Sequence, residues 1–215
     1  MNIEEMLKSF PMEKLLLLGD QISLDIDIDN KKLLKQIEQF DDKWAKYNSS
    51  KPWIKRDGLC IINEDGVNKS GPALESLSEW NADNGTSLSE VDFNISTPVY
   101  NDTLLKDVLE DIRPHCYRSH FLRLPPGGYF PPHRDHALNS FRVICPIQNC
   151  NAPDTRFMIE DKTLNWELGR FYVLNTMKEH TLFNCSVDTD SIWLVLNVEL
   201  TLETVLWVNS KLRVR

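Results

Sequence analysis

Residues 125–136 read Pro-Pro-Gly-Gly-Tyr-Phe-Pro-Pro-His-Arg-Asp-His. The Pro and Gly residues that open this stretch are typical of a turn. In an extended strand, residues two apart lie on the same face, so His133 and Asp135 point to one side and Arg134 to the other. We therefore expect the His–Asp pair at the mouth of a strand pair, directly after the turn.

A distant histidine can complete a three-ligand metal site with this pair. His180 lies 45 residues after Asp135, and four short strands with their turns fit that gap. Two neutral imidazoles and one carboxylate leave the opposite face of a metal ion open, which suits Fe(II) that must also bind a cosubstrate and O2. We predict that His133, Asp135 and His180 are the metal ligands and the catalytic residues.

Each of these assignments has a structural alternative. His133 and Asp135 could be surface residues of a Pro-rich turn, and His180 could be a packed histidine at a strand edge. His136 competes with His133 as a ligand, but its parity relative to Asp135 directs it away from the site.

The patterning after Pro114 changes from helical to strand-like spacing. Short runs rich in β-branched and aromatic residues alternate with turns rich in Gly, Pro, Asn and Asp. The predicted strands cover residues 120–124, 141–147, 156–159, 171–175, 181–185 and 192–201. This pattern predicts a mostly β fold, an antiparallel sandwich or jelly roll.

The N-terminal half has a different character. Apolar residues at helical spacing predict helices over residues 30–47 and 104–112, the second ended by Arg113-Pro114. Residues 59–63 are a strand candidate, and residues 63–94 have the composition of a loop or insert. We predict an α-rich N-terminal α/β elaboration over residues 1–112, packed on a β core over residues 113–215 as one structural unit.

Composition and charge exclude several classes of function. The chain has 215 residues, a net charge of -8 and a pI of about 5.2, which argues against a nucleic-acid-binding surface. No apolar run approaches the ~18 residues of a membrane-spanning helix, so we expect no membrane association. The five cysteines match neither a zinc motif nor a paired disulfide framework. Reduced thiols favour a cytoplasmic location.

Arginine is concentrated in the β-rich half. Between residues 113 and 170 there are seven arginines and one lysine. The planar guanidinium binds carboxylates through two parallel hydrogen bonds, which lysine cannot do. We expect most of the seven to lie at solvated strand edges and one or two to face the site.

Several of these segments together resemble the Fe(II)/2-oxoglutarate-dependent oxygenases, and within them the aspartyl/asparaginyl/prolyl β-hydroxylase-like branch. The resemblance extends over about residues 113–200 and rests on the segments 122–129, 132–136, 141–147, 169–176 and 180–184. It implies a double-stranded β-helix with His133, Asp135 and His180 as iron ligands. It also implies a reaction that couples oxidative decarboxylation of 2-oxoglutarate to oxidation of an unactivated C–H bond by O2.

The chain departs from that branch in two places. Relatives usually hold the distal carboxylate of 2-oxoglutarate with an arginine on the strand after the second histidine, whereas residues 187–193 contain no basic residue. Many relatives also carry a histidine where this chain has Ile144. Arg142 is therefore our first candidate for binding the cosubstrate carboxylate, and Arg123 is the second.

These observations predict a soluble Fe(II)/2-oxoglutarate-dependent dioxygenase. The expected reaction is hydroxylation of an amino acid or an amino-acid side chain, and the partner is a small-molecule or peptide substrate. Two alternatives stay open: a cupin-like metalloenzyme that does not use 2-oxoglutarate, and a non-catalytic binding protein that retains the fold.

Overall fold

The computed structural model describes residues 19–67, 71–135 and 139–212. The strands are β1 (Gln21–Asp27), β2 (Ala45–Lys46), β3 (Asp57–Asn63), β4 (Ile95–Ser96), β5 (Cys116–Leu124), β6 (Tyr129–His133), β7 (Ser140–Gln148), β8 (Thr155–Ile159), β9 (Lys162–Leu164), β10 (Arg170–Leu174), β11 (His180–Asn184) and β12 (Ser191–Glu199). The helices are α1 (Asn30–Ile37), α2 (Leu77–Asn84), α3 (Pro98–Asn101), α4 (Leu105–Val108) and α5 (Leu202–Ser210). Within the described ranges, no helix is long and apolar enough to span a bilayer.

The strands form two facing antiparallel sheets. The large sheet has the order β1-β10-β7-β12-β5-β3-β2, with β4 paired to β3, and the small sheet has the order β6-β11-β8-β9. From β5 onward the chain alternates between the large and the small sheet, with the adjacent strands β8 and β9 both in the small sheet. This alternation is the arrangement of a double-stranded β-helix. The predicted mostly β, jelly-roll fold is confirmed.

The chain before residue 113 contributes to the large sheet itself. Strand β1 pairs with β10 at one edge, and β3 pairs with β5 near the other. The large sheet therefore crosses the boundary that we predict at residue 112.

The core divides into two layers because side chains alternate along each strand. One face of the large sheet packs against the helices through residues such as Phe121, Val143 and Leu196. The other face packs against the small sheet through Leu122, Ile144 and other apolar residues. The candidate site lies at one end of this inter-sheet layer.

Three local predictions differ from the structure. The helix predicted over residues 30–47 ends at Ile37, because the 3-10 segment Glu38–Lys43 contains a non-helical residue, Phe40, and leads into β2. The helix predicted over residues 104–112 is a single turn, Leu105–Val108. The region predicted as loop or insert, residues 63–94, contains α2.

Strand β6 was not predicted, although it carries His133. Its sequence contains Pro131 and Pro132, which favour a turn because they cannot donate to a ladder. Strand β6 lies at the edge of the small sheet, where a missing donor on the outer side costs little. The edge position therefore reconciles the prolines with strand structure.

Candidate active site

The two candidate histidines lie opposite each other on neighbouring strands. His133 ends β6, His180 begins β11, and they are register partners with ring centroids 4.2 Å apart. Asp135 follows β6, and its backbone N–H donates to Thr176 O at 2.9 Å. This bond ties the segment after β6 to the segment before β11. The structure thus brings together the three predicted side chains, with one potential ligand atom from each within 4.8 Å of the others.

Backbone carbonyl groups orient both imidazole rings. Nδ1 of His133 lies 2.8 Å from Pro131 O, and Nδ1 of His180 lies 3.1 Å from Lys178 O. A carbonyl oxygen accepts a hydrogen bond only from a protonated Nδ1, so in the neutral tautomer that makes this bond Nε2 carries the lone pair that can bind a metal. In metal sites, the same kind of bond fixes the tautomer of a histidine ligand. Nε2 of His133 lies 3.7 Å from Asp135 Oδ1.

The electrostatic environment favours the ligand forms of Asp135 and His180. Burial by itself raises the pKa of Asp135, but Arg142, His180 and His133 together hold it below its usual value. Burial lowers the pKa of His180, and the neighbouring His133 lowers it further. A carboxylate and a neutral imidazole are the forms that bind metal.

The donor set fits a divalent transition metal. Bonds of about 2.1 Å to one ion place neighbouring donor atoms about 3–4 Å apart, so small side-chain rotations would bring these three onto a single ion. Two imidazole nitrogens and one carboxylate oxygen are the ligand set of non-haem Fe(II) sites with open positions.

Arg142 lies directly beside the triad. Its Nε is 3.2 Å from Asp135 Oδ2, and its Nη1 donates to Asn197 Oδ1. Asn197 is buried on β12, and its amide donates to Glu90 Oε2 at 2.5 Å. The other oxygen of Glu90 pairs with Arg118 at 2.9 Å. A continuous polar chain therefore runs from Glu90 to the candidate metal ligand Asp135.

Comparison with known proteins agrees with this site. Residues 95–200 match the family model described as aspartyl/asparaginyl beta-hydroxylase. This segment is similar to that family. The β-hydroxylase match includes the triad, Arg142 and Arg118, and ends just after β12. It extends the similarity predicted from sequence toward the N-terminus, to Ile95. A search of curated proteins gave no significant match.

Solved structures are similar only at low identity. A 2OG-Fe(II) oxygenase family oxidoreductase from Burkholderia pseudomallei is 12% identical over 78% of this chain and 79% of that chain, with a TM-score of 0.45. A Pseudomonas putida prolyl-4-hydroxylase is 11% identical over 91% of this chain and 99% of that chain, with a TM-score of 0.46. A predicted oxalate decarboxylase from Thermotoga maritima is 17% identical over 46% of this chain and 76% of that chain, with a TM-score of 0.33. Similarities at this level carry no argument about activity.

Arg123 of the β-hydroxylase region lies away from the site. It is on the opposite side of β5 from Leu122, a residue of the inter-sheet core. Its guanidinium pairs with Asp57 at 3.2 Å and lies 4.3 Å from the ring centroid of Trp44. It does not line the cavity next to the triad. The expectation that Arg123 faces the site is therefore not supported, because strand parity turns it outward.

The triad opens into a cavity of about 300 Å³ between the two sheets. Its apolar lining residues are Leu122, Ile144, Phe157, Leu174, Leu182 and Val195 among others. Its polar lining residues include Arg118, His120, Arg142 and Asn197. A small molecule that reaches the triad would therefore meet both apolar side chains and hydrogen-bonding groups.

Sequence reasoning missed His120 and Arg118 as cavity residues. His120, at the start of the strand predicted over residues 120–124, lines the cavity and is 7% exposed. Burial lowers its pKa to about 3, with a smaller contribution from Arg118 and Arg142, so the ring is neutral. Counting back in steps of two from Leu124 and Leu122 would have placed His120 on the cavity face. His136 lies outside the described residues.

Proposed function

We propose that this protein is a non-haem Fe(II)/2-oxoglutarate-dependent dioxygenase that hydroxylates an amino acid or an amino-acid side chain. The observation that carries this proposal is the convergence of His133, Asp135 and His180 on one cavity, with Arg142 beside them. Fe(II) and 2-oxoglutarate, when bound, would supply the activation of O2 for oxidation of a C–H bond.

In this proposal, Nε2 of each histidine and the Asp135 carboxylate hold the metal on one side. The backbone carbonyls of Pro131 and Lys178 keep the two rings in the required tautomer. Arg142 holds the Asp135 carboxylate in place through its Nε. These contacts fix the orientation of the three side chains, which would favour binding of a single metal ion.

The charge of the cavity supports a dianionic cosubstrate. Arg118 and Arg142 balance Asp135 and Glu75 among the charged side chains that line it. Arg118 is also paired with Glu90, so a bound divalent metal would leave this group of side chains with a net positive charge, which favours an anionic cosubstrate such as 2-oxoglutarate. Arg142 keeps its Nη2 available, because Nε and Nη1 serve Asp135 and Asn197.

The apolar side chains that line the cavity would exclude water from the reacting centre. Leu174, Leu182 and Val195 offer no hydrogen bond to solvent in this part of the cavity. Exclusion of water strengthens the electrostatic contacts of the site and limits side reactions of a reactive oxidant.

Anaerobic titration with Fe(II), with and without 2-oxoglutarate, tests the proposal. We expect one Fe(II) per chain and, after addition of 2-oxoglutarate, the metal-to-ligand charge-transfer band of the chelated 2-oxo acid. Fe(II) binding without the band at millimolar 2-oxoglutarate would instead favour the cupin-like metalloenzyme. Absence of both would favour a non-catalytic binding protein.

A further inference from the structure

One sector of the cavity wall is built by the N-terminal part of the chain, outside the segment that matches the β-hydroxylase family. It consists of Tyr47, Asn48, Glu75 and Ser76. Backbone bonds join its two halves, since Asn48 N donates to Leu74 O at 2.9 Å. We call these four residues the N-terminal sector.

The carboxylate of Glu75 is the charged group of this sector. Glu75 is 8% exposed, and its Oε1 accepts a hydrogen bond from Ser49 N at 2.7 Å. Arg118 donates to the backbone oxygen of Glu75 but forms its ion pair with Glu90. Among the described residues, the carboxylate of Glu75 has no ion-pair partner within 4.0 Å. A buried carboxylate without a cation is costly, so this group is poised for a cationic ligand.

Two neutral groups beside Glu75 also lack partners. The hydroxyl of Tyr47 makes no hydrogen bond within the described ranges, and Asn48 Oδ1 is buried without one. Both groups can accept a hydrogen bond from an N–H donor. The ring of Tyr47 already contacts the guanidinium of Arg56, whose Cζ lies 5.1 Å from the ring centroid, so the hydroxyl is the part of Tyr47 that can serve a ligand.

Resting on the proposed function, we propose that the N-terminal sector binds the ammonium group of the substrate. The substrate is then a small primary amine with an aliphatic chain, either a simple amine or a free amino acid. Glu75 supplies the charge, and Tyr47 and Asn48 supply neutral acceptors. The aliphatic chain lies against the apolar wall formed by Leu122, Ile144 and Val195.

The test uses protein loaded with Mn(II) and 2-oxoglutarate and measures binding by calorimetry. The first three probes are L-leucine, 3-methylbutylamine and 4-methylpentanoate, which share a branched chain and differ in their charged groups. L-Valine, L-isoleucine and 2-methylpropylamine are added to vary the length and branching of the chain. We expect binding of probes that carry an ammonium group and none of 4-methylpentanoate. Binding of L-leucine alone identifies an amino acid, and binding of 3-methylbutylamine identifies a simple amine.

Glu75→Gln is the decisive variant, because the amide oxygen can still accept the hydrogen bond from Ser49 while the charge is lost. We expect the affinity for the bound amine to fall at least about tenfold, the size expected for a hydrogen bond to a charged group. Glu79→Gln is the matched control, since Glu79 pairs with Lys51 on the exposed side of the same segment. It should leave the affinity unchanged.

Three outcomes overturn the inference: no amine in the panel binds, 4-methylpentanoate binds as tightly as L-leucine, or Glu75→Gln leaves the affinity unchanged. The charge-transfer band of the Fe(II) form, recorded in parallel, separates this failure from that of the proposed function. A normal band together with binding that does not depend on the ammonium group contradicts this inference but not the proposed function. Absence of the band in the wild-type protein contradicts the proposed function.

Discussion

At the scale of single residues, the candidate triad could be predicted from its residue types and spacing, although Asp135 lies just after β6 and not within a strand. His133 and Asp135 are two residues apart, and His180 is separated from them by four strands, β7 to β10. Arg118 and Glu90 could not be placed in this way. Their ion pair joins two residues on different elements, and short-range patterning contains no information about such a contact.

Asp135→Ala should abolish stoichiometric metal binding. The substitution removes the anionic ligand and leaves two imidazoles, which bind a divalent ion less tightly. Calorimetric titration with Mn(II) or Ni(II) measures the effect, with Asp161→Ala, in an exposed turn, as the control. Undiminished metal content in Asp135→Ala would rule out the assignment.

Arg142→Ala should weaken 2-oxoglutarate binding by several hundredfold or more. Removing one partner of a buried ion pair typically costs on the order of 3–5 kcal/mol. The charge-transfer band, titrated anaerobically, reports the affinity. Arg123→Ala is the matched control and should keep the wild-type affinity, because Arg123 lies outside the cavity. Equal affinities in the two variants would refute the role of Arg142.

His120 should make the protein less stable in acid. Its pKa is about 3 in the folded protein, because of burial and of Arg118 and Arg142, against about 6.5 in an unfolded chain. As the pH falls from 7.5 to 5, only the unfolded state takes up this proton, so the free energy of unfolding falls by about 2 kcal/mol. Urea denaturation at both pH values should show that His120→Asn loses this part of the pH dependence. An unchanged dependence would contradict the assigned pKa.

At the scale of elements, the six predicted strands correspond to β5, β7, β8, β10, β11 and β12. The alternation of apolar residues along these strands and the turns between them were sufficient to predict them. Strand β6 was missed because its prolines favour a turn. The first helix was predicted too long because Phe40 and Trp44 continue the helical spacing, although the backbone changes conformation there. In both places, tertiary context overrides a local preference.

The turn before β6 depends on a glycine. A Cβ atom on Gly128 would lie 2.3 Å from Lys55 O and 2.8 Å from Pro125 O, both backbone atoms. Gly128 O also accepts from Asn184 N, so a shift here moves β6 relative to β11. Gly128→Ala should lower stability by about 1–3 kcal/mol, as overpacking does, and should weaken metal binding.

Differential scanning calorimetry and Mn(II) titration measure these two effects. Gly71→Ala is the control, because Gly71 is extended and its added Cβ would make only an ordinary contact, 3.4 Å from Glu64 Oε1. If Gly128→Ala keeps the melting temperature and the metal affinity of the wild-type protein, the close backbone approach at Gly128 does not position β6.

At the scale of the whole molecule, two parts of the chain build one cavity. The segment that matches the β-hydroxylase model supplies the triad and Arg142, whereas Tyr47, Asn48 and Glu75 come from the N-terminal part. Strand patterning predicted the fold class, but it could not show which N-terminal residues approach the site. That information depends on the pairing of β3 with β5, which joins residues about 60 positions apart.

The central claim is that His133, Asp135 and His180 hold one metal ion beside Arg142. Anomalous X-ray diffraction from crystals grown anaerobically with Mn(II) and 2-oxoglutarate tests it most directly. We predict one anomalous peak at about 2.0–2.2 Å from one donor atom of each of the three side chains, with a carboxylate of 2-oxoglutarate on Arg142. A fully occupied peak elsewhere, or no peak at the triad in crystals that diffract well, would contradict the claim.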